Sequence, residues 1–448
     1  MQNNDNIQIP RRILASLISS LSAGVVPRMG APYVAIGRDN EILALLSDLE
    51  KVRDGGSSVR FLIGRYGSGK SFLMQLVRGY ALDKGFITAD ADLTPERRLY
   101  GTGGSGLATY RELIRNLASK SSPEGGALPK LLAKWITSIQ AKLSEAGIPV
   151  SSPDFSDRLA KEIFSVIREI EFYVGGFDFA RIISEYYKAY IDGNDEKQSA
   201  CLRWFRGEYS NKTEAKGMLG FAVSIVIDDE NWYDFIKLWA VLVRKIGYHG
   251  MVVFIDECVN LYKITNRISR ENNYEKILSI FNDTLQGHSE GLAIVFGGTP
   301  QFLEDTRRGI FSYEALRSRL CDSKYEIDGV RNFNTPVIRL ACLGENELYA
   351  LLKRLTDLFA QYYNITPRIT EEDMAVFLKL NTARVGAETM ITPRETIRDY
   401  MTILNVLMQN ESVSFETIVK GKRGENVPAQ KTEEQNVPRK VTTEDIVF

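Results

Sequence analysis

Eight consecutive residues carry the clearest chemistry in the chain. Gly64-Arg65-Tyr66-Gly67-Ser68-Gly69-Lys70-Ser71 fits G-x-x-x-x-G-K-[ST] at every fixed position. Glycines let a backbone curl until successive N–H groups converge on one anion. A helix that starts at the lysine adds the positive end of its dipole. Gly64, Gly67, Ser68, Gly69, Lys70 and Ser71 therefore read as a cradle for a chain of phosphates. Lys70 supplies a point charge to the outer phosphates, and Ser71 offers a hydroxyl to Mg2+.

A pair of acids complements the cradle. The apolar run Met251-Val252-Val253-Phe254-Ile255 ends in Asp256-Glu257. A buried strand delivers such carboxylates to its C-terminal edge, where open α/β sheets bind ligands. Asp256 suits the metal, held through its water shell, and Glu257 suits an attacking water that must be polarised. The adjacent Cys258 reads as a packing residue rather than a nucleophile.

These residues need strands to carry them. Residues 59–63 (VRFLI), 86–93, 251–255 and 292–296 (LAIVF) read as strands, the apolar ones as buried parallel strands, with 337–340 as a last one. Helical spacing covers 11–21, 40–51, 70–84, 274–285, 346–360, 371–380 and 393–408. Between the second and third strands, residues 110–119, 128–146, 155–173, 177–191 and 232–246 also repeat at helical period. The expected architecture is an α/β fold with a parallel-sheet P-loop core and an α-helical C-terminal lid. Its boundaries are an N-terminal helical segment at 1–36, core at 37–106 and 247–342, a long helical insertion at 107–246, the lid at 343–410 and a flexible tail at 411–448. The polar stretch 420–443 reads as a linker, closed by the apolar Ile446-Val447-Phe448.

Composition narrows the class. The chain has 448 residues, with 56 Lys plus Arg against 57 Asp plus Glu, so it is not uniformly basic. A local basic patch remains open, since nucleic-acid binding needs a patch and not a total. Four cysteines without C-x-x-C spacing and only two histidines argue against a structural zinc site and against His-based hydrolysis. No apolar run approaches the ~18 residues of a membrane span, and the first ten residues carry no signal-peptide core, so a cytoplasmic protein without membrane contact is expected.

In this order the motifs resemble those of AAA+ ATPases. Ile36-Gly37-Arg38-Asp39-Asn40-Glu41 resembles the segment that leads into the core and contacts adenine in origin-recognition members, which implicates Gly37 and Arg38. Phe296-Gly297-Gly298-Thr299-Pro300 resembles the strand end with the sensor-1 polar residue, which implicates Thr299. Ala315-Leu316-Arg317-Ser318-Arg319-Leu320 resembles the segment whose arginine reaches a neighbouring subunit's γ-phosphate. Arg319 matches the S-R pair and Arg317 is the alternative; either implies a homo-oligomer, ring or filament. Thr392-Pro393-Arg394 resembles the opening of the lid helix with its sensor-2 arginine.

More specifically, the chain resembles the BrxD-type ATPases of bacteriophage-exclusion (BREX) systems. The carrying residues are Val26-Pro27-Arg28, the glycine loop, Trp204-Phe205-Arg206-Gly207-Glu208, Gly247-Tyr248-His249-Gly250, Gly298-Thr299-Pro300-Gln301-Phe302-Leu303 and Tyr313-Glu314-Ala315-Leu316-Arg317-Ser318-Arg319-Leu320. The resemblance implies a bacterial defence ATPase that works with nucleic-acid enzymes, notably a helicase.

Other surfaces stay open at this level. Arg97 and Arg98 offer charge to DNA phosphates and Tyr100 a ring to a base; the alternative is a flexible loop with two solvated arginines. Trp204 and Phe205 read as core more readily than as contacts. Two functional classes follow: an ATP-hydrolysing remodeller acting on or with DNA, or a slow nucleotide switch that recruits effectors through its helices. A P-loop kinase would need an acceptor site that no motif supplies.

Overall fold

The computed structural model describes residues 9–149, 152, 154–322, 332–383 and 392–421. Five strands form one all-parallel sheet: β1 (Ser58–Gly64), β2 (Ile87–Asp92), β3 (Met251–Asp256), β4 (Leu292–Gly298) and β5 (Val337–Leu340), in the order β2-β3-β4-β1-β5. The core is thus an α/β fold built on one parallel sheet. Side chains alternate across the sheet, so each apolar run feeds two cores at once. Phe61, Val253 and Phe296 face one way, towards helices Ser105–Arg115, Trp232–Lys245 and Arg267–Leu285. Leu62, Val252, Val295 and Ile338 face helices Asp39–Arg53 and Lys70–Asp83. Register places Phe61 opposite Phe296, with the rings stacked 5.2 Å apart.

A buried ion pair ties this second layer together. Arg60 projects from β1 and binds Asp48 of helix Asp39–Arg53 at 2.5 Å, while also donating to the carbonyls of Phe333 and Thr335. Both side chains are almost fully buried.

The helices between β2 and β3 share the first core rather than closing around a separate one. Trp204, Phe205, Phe179, Phe235 and Trp239 meet largely edge to face there. Trp204 and Phe205 are core residues in fact, 1% and 0% exposed. A third cluster joins the N-terminal helix Arg11–Ser22 to the C-terminal helices Glu345–Tyr363, Glu371–Ala383 and Pro393–Gln409 through Leu17, Ile18, Leu355, Tyr400 and Met401. The N-terminal helix and these C-terminal helices therefore pack as one layer.

Several elements differ from their expected limits. The helix read at 110–119 runs Ser105–Arg115, because Ala118 instead exchanges backbone hydrogen bonds with Thr88 at the edge of β2. The helix read at 274–285 begins at Arg267, capped by Asn266. Its first turns escaped notice because their buried positions are polar: Arg270 and Asn273. Asn273 binds the backbone of Leu99 and Tyr100. Helices Asp195–Phe205 and Lys212–Leu219 were not read from spacing, although their asparagine N-caps, Asn194 and Asn211, were a usable signal. The tail expected from 411 still holds a helix, Phe415–Gly421, because Phe415 packs into the third cluster. The rest of the linker and the closing Ile446-Val447-Phe448 lie outside the described residues.

Candidate active site

Strands β1, β3 and β4 end on a cleft of about 490 Å³, walled on its far side by the N-terminal and C-terminal helices. The glycine loop forms its floor. Gly67 and Gly69 have φ of +79° and +88°, a conformation that costs little only without a Cβ. Gly67 also lies so close to Thr392 that a Cβ would come within 2.6 Å of the threonine Cγ2. Gly69 then starts helix Lys70–Asp83. The Lys70 ammonium donates to the carbonyls of Gly64 and Arg65 at 2.9 and 3.1 Å. Burial pulls its pKa below the ordinary lysine value, while Asp256 and Glu257 act in the opposite sense. The Ser68 hydroxyl is buried in the loop and has no hydrogen-bond partner among the described residues.

The acidic strand meets the loop from the side. Ser71 Oγ donates to Asp256 Oδ2 at 2.6 Å, and the Glu257 N–H donates to Asp256 Oδ1 at 2.8 Å. Gly297 of the neighbouring β4 makes room: a Cβ there would stand 2.2 Å from Asp256 Oδ1. Glu257 adopts φ +57°, unusual for a residue with a side chain, and costs on the order of 1–3 kcal/mol where such strain occurs. It is exposed to the cleft. Cys258 is fully buried, its N–H donates to Gly297 O at 2.9 Å, and burial raises its thiol pKa well above the usual value. That thiol is packing, not a nucleophile.

One acid escaped the sequence reading. Asp92 closes β2 in register with Asp256. The carboxyl is crowded by protein although the residue still reaches solvent. That burial, and then Asp256, Glu257 and Asp90, hold its pKa above the ordinary value, with Arg97 opposing. The signal was a strand pattern ending in an acid; unlike the MVVFI run, it is interrupted by Thr88 and Asp90, which hid the parallel with Asp256.

The remaining expected residues fall into three groups. Thr299 follows β4 in the cleft and caps the short helix Pro300–Glu304 by accepting from the Phe302 N–H at 3.3 Å. Arg394 enters from helix Pro393–Gln409, whose start is fixed by a reciprocal Thr392–Glu395 cap; its guanidinium stands 3.5 Å from the Tyr66 hydroxyl. Arg38 lines the cleft but spends its guanidinium on backbone. It donates to Ser68 O at 2.9 Å and Ala341 O at 2.6 Å, with Glu41 3.6 Å away. Gly37, at φ +70°, lies directly against Glu347. Beside them, Val25, Val26, Pro27, Val34, Ile36 and Leu343 give the cleft an apolar wall.

Arg317 and Arg319 are not brought to this cleft. Both lie exposed on helix Glu314–Leu320, where Arg319 donates to Ala315 O at 2.7 Å. Arg97 and Arg98 are half-buried and locally engaged. Arg97 pairs with Glu112 at 3.1 Å and Arg98 donates to Pro95 O at 2.8 Å. Tyr100 is half-buried, its backbone held by Asn273.

A parallel sheet in this order, with a glycine loop after β1 and an acidic end on β3, defines a P-loop nucleotide-binding protein. The chain belongs to the family of BREX system ATP-binding proteins BrxC/D, whose sequence profile matches residues 9–423. It is accordingly an ATP-binding protein of a BREX phage-defence system. No curated protein matches it. Among the described residues, no helix is long and apolar enough to cross a membrane.

Proposed function

We propose that the chain hydrolyses ATP to ADP and phosphate with Mg2+, and that it does so as a homo-oligomer acting on or with DNA and a helicase or other defence protein. The observation that carries the chemistry is the 2.6 Å contact between Ser71 Oγ and Asp256 Oδ2 under the loop that holds Lys70. The Ser71 hydroxyl, and the Asp256 carboxylate directly or through water, are hard oxygen donors of the kind that would hold Mg2+ beside phosphate. Once bound there, Mg2+ would neutralise charge on the β- and γ-phosphates. Among the described residues the cleft is lined by four cations, Arg38, Lys70, Lys263 and Arg394, against two carboxylates, Asp256 and Glu257, a balance that suits a polyanion.

In this scheme the loop N–H groups and Lys70 orient the phosphates. Glu257 accepts a proton from water as its oxygen attacks the γ-phosphorus and the bond to the β-phosphate oxygen breaks. Thr299 orients that water. The Gly37–Arg38 segment holds the loop and the wall beside it, and the apolar wall accepts the base. Arg394 links phosphate occupancy to the position of the C-terminal helices. Arg317 and Arg319, exposed and away from their own cleft, are available to complete a neighbouring protomer's site. The engagement of Arg97 and Arg98 leaves Tyr100 and any DNA contact there dependent on rearrangement.

Turnover measured with and without DNA tests this. Strong DNA stimulation, abolished in Glu257→Gln with ATP binding retained, is the expected result. Retention of adenine nucleotide by Lys70→Ala at wild-type affinity would overturn it. A second reading, a slow switch that recruits effectors, is favoured by one feature. The turn between helices Phe155–Ile170 and Gly176–Ile191, with the first turn of the second helix, exposes Phe172, Val174 and Phe177 at 88%, 67% and 61%. Slow turnover indifferent to DNA would support it.

A further inference from the structure

Lys263 was not singled out by any motif, yet the residue lines the cleft together with Glu257 and Thr299. It follows a helical turn, Val259–Tyr262, that begins two residues after Glu257. Val259 and Lys263 both line the cleft and are four apart, which places them on one helical face. Lys263 itself keeps helical dihedrals, φ −72° and ψ −12°, and its N–H bonds Val259 O at 3.1 Å. Side chains on a helix lean towards its N-terminus. Here that direction is back towards Glu257.

The main chain around Lys263 is held on both sides. Arg308 donates to Tyr262 O and Ile264 O, each at 3.3 Å, and its guanidinium lies 5.3 Å from the centre of the Tyr262 ring. Arg270 donates to Ile264 O at 2.7 Å. The Tyr262 hydroxyl donates to Asp305 at 3.0 Å. Two arginine side chains therefore hold the backbone and Asp305 holds the Tyr262 ring, while among the described residues no hydrogen bond or ion pair takes the Lys263 ammonium. The other three cations of the cleft are engaged: Lys70 with loop carbonyls, Arg38 with Ser68 O and Ala341 O, and Arg394 with Tyr66. An exposed cation on a held backbone, in the cleft that also holds the residue expected to polarise water, is free to meet charge that arrives with the ligand.

We propose that Lys263 contacts the terminal phosphate of ATP from within the same chain and distinguishes ATP from ADP. The inference rests on the ATP-hydrolysis reading of the cleft. It adds a catalytic residue to that reading: a cation that meets the γ-phosphate and the charge that leaves with it.

The test is competition by ATP and by ADP for a fluorescent adenine nucleotide in magnesium buffer, with turnover measured in parallel. Lys263→Met keeps the aliphatic stem and removes the charge. It should weaken ATP by on the order of 10-fold, leave ADP within about twofold, and lower turnover by on the order of 10- to 100-fold. Lys263→Arg should recover most of the ATP preference. A wild-type ratio of ATP to ADP affinity in Lys263→Met would overturn the proposal, as would an equal loss for both nucleotides. Lost DNA affinity with an unchanged nucleotide ratio would overturn it too, and would assign Lys263 to nucleic acid. The Lys70→Ala protein separates the two levels. If it still binds both nucleotides as wild type does, the reading of the cleft itself falls. If it loses both while Lys263→Met behaves as wild type, only the role of Lys263 falls.

Discussion

Replacing Arg38 with alanine should remove a clamp rather than a base contact. Arg38 is 6% exposed and its guanidinium holds Ser68 O at 2.9 Å and Ala341 O at 2.6 Å, so it joins the glycine loop to the chain that leaves β5. Its loss leaves the buried Glu41 carboxylate, 3.6 Å away, without this cation. Breaking a buried pair in this way costs about 3–5 kcal/mol, a large part of the ~5–15 kcal/mol that stabilises a typical domain. The effect on ligand affinity is separate. A charged hydrogen bond to the loop carbonyl is worth about 1.5–3 kcal/mol, and if binding must supply that order instead, affinity falls on the order of 10- to 100-fold. The loss should be the same for ATP and for inorganic tripolyphosphate, because the contact is made to loop backbone. Competition against a fluorescent nucleotide measures both, and urea unfolding measures stability. The double variant Arg38→Met with Glu41→Gln should recover stability but not affinity. A loss confined to ATP, with tripolyphosphate unaffected, would refute the clamp and return Arg38 to the adenine contact that the family resemblance implies.

Three further outcomes follow from geometry elsewhere. Asp48→Asn strands the buried Arg60 cation and should lower unfolding stability by about 3–5 kcal/mol, seen as a lower urea midpoint at unchanged slope; a loss below about 1 kcal/mol would show that the Phe333 and Thr335 carbonyls suffice. Glu257→Gly relieves the backbone at φ +57° and should raise thermal stability by up to about 1 kcal/mol while abolishing turnover, whereas a destabilised variant would show that the conformation stores no strain. Asp305 accepts from the Arg307 and Arg308 N–H groups and the Tyr262 hydroxyl, and the Arg307 bond above all holds its pKa below the ordinary 3.8. A carboxyl depressed by folding stabilises the fold above its unfolded pKa and loses that contribution as pH falls through the folded one. The stability gap between wild type and Asp305→Asn should therefore be constant near neutrality and shrink only in acid; a gap that widened on acidification would contradict this sign.

Much of the fold was legible because its signals are local. VRFLI, MVVFI and LAIVF are apolar runs between turn residues, and burial on both faces of a parallel sheet requires that pattern wherever the strands pair. The glycine loop and the Asp256-Glu257 end are likewise contiguous, since their chemistry is delivered by a few successive residues. Thr392-Pro393 announced a helix start because a cap acts within one turn. Where polar residues occupy interior positions, as Arg270 and Asn273 do, periodicity falls silent and the helix limit was missed.

Residue types in short order determined a parallel α/β nucleotide-binding core and the loop and acids at its edge. Only the tertiary structure decided that Arg38 grips a carbonyl 303 positions away, that the N-terminal helix packs on the last helices, that Asp92 aligns with Asp256, and that Lys263 enters the cleft while Arg317 and Arg319 stay outside it. The physical reason is distance along the chain. A charged side chain takes its meaning from its partner, and here the partners arrive from remote segments, whereas an apolar run or a glycine turn carries its own instruction.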